Sequence, residues 1–286
     1  MKTLLVLLLA LHGVILFAPW IAPYPYAENH RAYPYAPPGH ASLGAASGSS
    51  PLFLLGTDAY GRDVFSRVLY GGRISLLTGI LATAVALGLG VLCGMLAGFY
   101  GGWIDQFLMR FSELFLALPW LYLLLGVRAA LPLHITPLQA FVLLVGIIGG
   151  VGWVRPARLI RGVVLRAKEE PFVQAARGFG ASDLYLMRRH IFPQIGGVLL
   201  AQASVLIPRY VVAEVTLSFL GLGVGEPLPS WGNMLSDARH YHSLVFHPWL
   251  LAPCLFLIPV LLVYVCLADS IASDQVFTGF GRSTLR

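Results

Sequence analysis

Arg209 and Glu214 both lie inside the apolar run from Ile195 to Val224. A lone charge near the centre of a bilayer costs about 2.5 to 3.5 kcal/mol even on the lenient insertion scale, so each must face water, a partner helix or an opposite charge. Five residues separate them, about 140° around a regular helix, which places them on different faces unless Pro208 distorts the helix. The functional reading of both is a position on a translocation pathway or its gate. The structural alternatives are that Arg209 snorkels and that Glu214 stabilises a subunit interface. Asp237, His240, His242 and His247 are of a type to hold a transition metal, but they offer neither a fixed helical spacing nor a closed ligand set, and a solvated loop is the preferred reading. No metal and no cofactor is assigned. Enzymatic signatures are missing too: there is no His-Glu-x-x-His and no Gly-x-Ser-x-Gly. Neither lysine, Lys2 or Lys168, follows a glycine, so the chain has no phosphate-binding loop for ATP.

These residues are embedded in a chain made for lipid. Of its 286 residues 57% are hydrophobic and 11% charged, against roughly 25% charged in soluble domains, and the mean hydropathy is +0.77. Six apolar runs are long enough to cross a bilayer: Leu4 to Ala22, Ile74 to Tyr100, Ser112 to Ala130, Leu138 to Val154, Ile195 to Val224 and Pro248 to Ala268. The expected fold is therefore an all-α polytopic membrane protein of six transmembrane helices. The first run also fits a secretory signal peptide, and either reading leaves Pro23 to Arg73 outside. Alternation from there puts twelve basic residues in the cytoplasm and six outside, with eight between Arg155 and Arg189. The positive-inside rule then gives both termini as cytoplasmic. It also explains the net charge of +6 without nucleic acid as a partner. Cys93, Cys254 and Cys266 sit in apolar runs without paired spacing and read as packing residues.

The chain divides into a first helix with an external linker (1–55), an external segment (56–73), the main transmembrane domain (74–270) and a cytoplasmic tail (271–286). Pro23 to Pro51 lack any periodicity and read as irregular. Val64, Phe65, Val68 and Leu69 share one helical face, with Ser66 and Arg67 on another, which reads as an interfacial amphipathic helix broken from the second span at Gly71-Gly72. The alternative is an outward extension of that span. Ala82, Ala86, Gly90, Gly94, Gly98 and Gly102 recur every fourth residue and mark a packing seam, with Gly146, Gly149, Gly150 and Gly152 as the facing surface.

Between the fourth and fifth spans, Pro171 suits the first position of a helix, Gly178 and Gly180 its termination, and Ser182 the cap of a second helix that Pro193 closes after Phe192. A helix-turn-helix with Ala175 and Ala176 exposed would suit docking to a soluble partner, although a connecting loop can also fold this way. The stretch resembles the Glu-Ala-Ala loop of ATP-binding-cassette importer permeases. Ala175, Ala176, Gly180 and Pro193 agree with it, whereas Gln174, His190 and Phe192 replace its Glu, Ile and Leu.

The resemblance continues through Gly56-Thr57-Asp58, Gly61-Arg62-Asp63, Ser66-Arg67, Tyr70, Arg73, Ala97-Gly98, Gly101-Gly102, Glu214, Ser218 to Gly223 and Pro229 to Leu235. Together these look like the C-type permease subunit of dipeptide and oligopeptide importers. The carboxyl end departs, with Gln275 and Val276 after Asp274 where the family commonly continues Pro-Arg. The resemblance implies a multi-pass inner (plasma) membrane protein that forms half of a solute pathway. Its implied partners are a second permease, two cytoplasmic ATPase subunits and an external solute-binding protein. Gln174, Ala175, Ala176, Gly180, Ser182, Asp183 and Pro193 would then form the coupling element that docks an ATPase. Peptides are the favoured solute, with nickel, glutathione or another small solute as alternatives.

Overall fold

The computed structural model describes residues 2–41, 51–132 and 135–283, and for residues 2, 40, 41 and 272–283 the backbone alone. An amino-terminal helix α1 (Lys2–Leu16) and a short α2 (Ala18–Ile21) lead into an irregular stretch. Its ordered pairing is a two-residue antiparallel ladder of β1 (His40–Ala41) with β2 (Leu52–Phe53). Helix α3 then runs unbroken from Val64 to Tyr100. Asp63 starts it, its carboxylate accepting from the Ser66 N–H at 2.7 Å, as an N-cap should. The break expected at Gly71-Gly72 is not present. Instead a Cβ on Gly71 would press on the Ser230 backbone and one on Gly72 on the Trp231 ring, so these glycines permit close approach rather than end a helix. Ser66 and Arg67, expected on a polar face, are buried.

The next two spans are each broken. Helices α4 (Gly102–Ala117) and α5 (Trp120–Ala129) meet at 90°, where a single span over Ser112 to Ala130 was expected. Pro119 explains this, since it confines Leu118 to extended backbone and Leu118 has φ −94° and ψ 139°. Helices α6 (Pro137–Gly152) and α7 (Val154–Ala167) meet at 44°. Pro156 has no N–H to give the Gly152 carbonyl one turn back, and that carbonyl accepts from the Tyr210 hydroxyl at 3.2 Å instead.

After α8 (Pro171–Gly178) and α9 (Asp183–Tyr185) the chain continues as one helical rod, through a π-turn at Leu186–Ile191 and a 3₁₀-turn at Phe192–Ile195, into α10 (Gly196–Phe219). Pro193 therefore does not close a helix before the fifth span. The turn widens immediately before the proline, with the Phe192 N–H bonded to the Met187 carbonyl, and this absorbs the missing donor. Helices α11 (Trp231–Ser236), α12 (Tyr241–Phe246) and α13 (Ala252–Ser283) complete the fold, so helix continues into the stretch expected as a tail.

Three rods, Val64–Tyr100, Asp183–Phe219 and Pro248–Ile271, are long and apolar enough to cross a membrane, and each bent pair is so when taken together. Leu92, Leu114, Leu138, Leu255 and Leu262 all point outward. A continuous apolar exterior of this kind belongs in lipid. The small-residue seam lies where expected along α3, but its partner is chiefly α7. Added Cβ atoms on Gly90, Gly94 and Gly98 would strike Pro156, Ala157, Ile160 and Val164. Gly149 faces Ala82 and Val85 on α3, Gly152 faces Tyr210, and Gly146 and Gly150 have nothing within 4 Å. Gly102 lies beyond the end of α3, with open space around it.

Candidate translocation site and coupling surface

Both span breaks open onto one cavity of about 400 Å³. Phe115 to Trp120 form one wall, Val151, Gly152 and Arg155 a second, and Leu206, Arg209 and Tyr210 a third. The guanidinium of Arg209 stands 4.7 Å from the centroid of the Trp120 ring. A further cavity of about 440 Å³ lies on the other side of the same two residues, lined by Leu121, Val205, Val212 and Leu261 among others. Arg209 thus borders both spaces. Pro208 is carried within α10 without breaking it, and Arg209 and Glu214 have separate partners.

Glu214 is fully enclosed rather than on a wall. Its carboxylate accepts from the Ser218 hydroxyl at 2.6 Å, and the Ser75 and Ser230 hydroxyls lie beside it. Gly232 brings α11 against α10 at this point, since a Cβ there would meet Ser218 and the Val215 backbone. Ser230 caps α11 through a reciprocal capping box with Asn233. The buried Trp231 ring donates to the Val68 carbonyl of α3 at 3.0 Å. The residues from Pro229 to Leu235 therefore clamp α3, α10 and α11 around Glu214.

An ion cluster whose role sequence reasoning did not reach sits at the amino-terminal end of α3. Arg62 binds Asp58 at 2.6 Å and Glu226 at 2.7 Å, and Arg67 binds the other Glu226 oxygen at 2.8 Å. Asp58 also accepts from the backbone N–H groups of Tyr60 and Arg62, which shapes the Gly56 to Asp63 loop. Burial pulls the Arg62 guanidinium down, but Asp58 and Glu226 outweigh it and hold it above its ordinary value. The loop needs Gly61 at φ 73°, with the His30 carbonyl where a Cβ would be. The cluster ties the loop before α3 to the loop after α10.

Near the other end of α3, Val173 of α8 is buried with Phe99, Ile160, Val164, Leu186 and Ile191. Arg177 stacks on the Phe99 ring at 5.4 Å. Gln174 turns back to the Lys168 carbonyl at 3.0 Å, Ala175 is exposed and Ala176 half-buried. Gly180 has φ 82°, as its place after the helix requires. Ser182 occupies the capping position, but its side chain makes no capping bond. Asp183 and Pro193 are exposed. Phe179, between the two glycines, is 91% exposed, with Phe172, Leu184 and Tyr185 also outward.

His242 and His247 pack edge to face with ring centroids 6.2 Å apart, while His247 also stacks on Tyr35 at 4.0 Å and His242 lies against Phe246. Among the described residues no three His, Cys, Asp or Glu side chains come together as a metal site.

Several lipid-length helices, two of them broken around a cavity bordered by cations, define a multi-pass membrane protein built for transport. Residues 90–275 match the family described as binding-protein-dependent transport system inner membrane component, and the chain belongs to that family, as a permease subunit of an ATP-binding-cassette importer. It is 33% identical to the oligopeptide transport system permease protein OppC of Haemophilus influenzae, over 92% of this chain and 81% of that protein. Identity with the di/tripeptide transport system permease protein DppC of Pseudomonas aeruginosa is 38%, over 79% and 71%. With the glutathione transport system permease protein GsiD of Shigella dysenteriae it is 36%, over 88% and 76%.

Proposed function

We propose that this permease carries peptides or similar small solutes across the inner (plasma) membrane, with six spans and both termini in the cytoplasm. It would supply half of the pathway, a second permease the other half, two cytoplasmic ATPases the energy and an external binding protein the solute. The alternative solute is nickel or another non-peptide molecule.

The observation that carries the reading is the helix-turn-helix around Gly180, anchored through Val173 and Arg177 to the foot of α3 while Phe179 and Ala175 remain uncovered. A partner that moves this element moves the helix whose far end holds the external ion cluster. ATP binding and hydrolysis in the partner would then bias one permease conformation over another.

Gly180→Val tests this cleanly, because nothing lies within 4 Å of a Cβ there and only the backbone is affected. Positive φ costs a β-branched residue roughly 1 to 2 kcal/mol. The ATPase subunits should no longer co-purify and solute-stimulated ATP hydrolysis should fall; retention of both would refute docking at this element.

A further inference from the structure

Arg209 is not matched by any acid. Neither it nor Arg155 has an ion pair among the described residues, and both border the same cavity of about 400 Å³. The neighbouring carboxylates are already engaged: Asp105 by Arg161, Glu113 by Arg110 and Arg158, Glu214 by Ser218. Two like charges in one cleft of low polarity repel, and folding gains nothing by placing them together. The Arg209 guanidinium also lies 4.7 Å from the centroid of the Trp120 ring. A guanidinium at a cavity wall offers the donor fork that matches a carboxylate. On its far side the apolar cavity lined by Leu121, Val205, Val212 and Leu261 has room for a side chain.

We propose that Arg155 and Arg209 form a binding site for the carboxylate of the transported solute, with the apolar body of that solute in the space beyond Trp120. The inference rests on the importer reading and narrows its substrate class to small solutes with a free carboxylate. The carboxylate offsets one of the two positive charges and screens their repulsion while it is bound, and departure of the solute restores it.

The test uses the assembled transporter in nanodiscs, with Cys93, Cys254 and Cys266 replaced by serine and Ala117→Cys placed on the cavity wall. The thiol is treated with a sulfonate-bearing and a trimethylammonium-bearing methanethiosulfonate of matched size. The anionic reagent should be favoured by about tenfold relative to a free thiol, as expected for a cleft of one charge sign. That preference should vanish in the Arg155→Gln, Arg209→Gln pair. Arg209→Lys should keep the preference, and Arg155→Gln alone should reduce it, which secures the reading should the double variant not assemble. Dialanine at millimolar concentration should protect the thiol, and dialanine amide should not.

Absence of any preference, its survival in the double variant, or equal protection by the amide would overturn the proposal. So would a thiol unreactive in every nucleotide state, the result expected if an acidic side chain of the partner permease covers the site. A preference present in phosphatidylcholine and lost in phosphatidylglycerol would assign the site to a lipid headgroup and overturn it as well. ATP hydrolysis stimulated by the binding protein is measured on the Ala117→Cys parent, so failure of the importer reading registers separately.

Discussion

The ion cluster at the amino-terminal end of α3 and the cavity at the span breaks use arginine in opposite ways. In the cluster, Arg62 and Arg67 are buried and share Asp58 and Glu226 between them. In the cavity, Arg155 and Arg209 have an aromatic ring and each other for company. Charges that are taken out of water and fully matched fix one geometry, here the joining of two loops across the top of α3 and α10. Charges left unmatched cost folding free energy, which is the contrast on which the proposed carboxylate site rests. α3 spans about 50 Å between Arg67 and Phe99, so the ion cluster and the helix-turn-helix around Gly180 lie near the two ends of one rod.

Removing a matched carboxylate is the most severe way to break this contrast. Asp58→Ala leaves Arg62 and Arg67 to share Glu226 alone and frees two backbone N–H groups, which should cost about 3 kcal/mol. A fall in the apparent unfolding temperature of the purified complex reads it out; an unchanged midpoint would mean that the cluster is not what joins the loops. Next comes the wall of the cavity. Tyr210→Phe takes away the hydroxyl that satisfies the Gly152 carbonyl at the α6–α7 bend, a loss of about 1 to 2 kcal/mol. Double-cycle comparison with Gly152→Ala should show that the two changes are not additive, since both displace the same hydroxyl. Arg209→Gln should shift stability by no more than about 1 kcal/mol, the scale of the cation–π contact it gives up. A destabilisation comparable to that of Asp58→Ala would erase the distinction between the two pairs of arginines.

The sequence was most legible where a local signal had one meaning. Pro171 at the first helical position and Gly180 at positive φ delimit α8 as expected. The every-fourth-residue stripe correctly marked a seam on α3. It did not reveal the facing surface, because α7 is arginine-rich and its apolar face of Ala157, Ile160 and Val164 reads as part of a loop between spans. Proline was the missed signal. Pro119 lies inside the run from Ser112 to Ala130 and Pro156 just past the run from Leu138 to Val154, and together they set the breaks that border the cavity. Gly71-Gly72 misled for the converse reason, since glycine serves both as a breaker and as a place of close approach. The ion cluster before α3 was not readable at all, because Glu226 lies 164 residues from Arg62 and no local pattern pairs them. Glu214 and Arg209 were both legible as expensive intramembrane charges. Only packing distinguishes the enclosed carboxylate from the guanidinium on the wall.

Asp237 offers the smallest and most conditional test, because it sits at the margin of the matched cluster without joining it. It borders a small space with Asp58, Arg67, Met234 and Leu250. Burial pushes its carboxyl up from the ordinary value and Asp58 and Glu226 add to this, while Arg62 and Arg67 oppose it. A carboxyl whose folded-state pKa is raised binds its proton more tightly in the folded protein than in the unfolded chain. Its ionisation therefore costs stability once the pH is above the folded value, and below the unfolded value of about 3.9 the cost is gone. Asp237→Asn should consequently stabilise the protein at pH 7, by about 0.5 kcal/mol. The gain should shrink as the pH falls through the raised folded-state value towards the unfolded one, since protonation removes the charge that is costly to bury. Unfolding midpoints of the two proteins measured in parallel from pH 8 to pH 4 give the difference directly. A gain independent of pH would trace the effect to packing rather than charge. A loss at pH 7 would show that Arg62 and Arg67 carry more attraction to Asp237 than Asp58 and Glu226 leave them, which would place Asp237 inside the cluster.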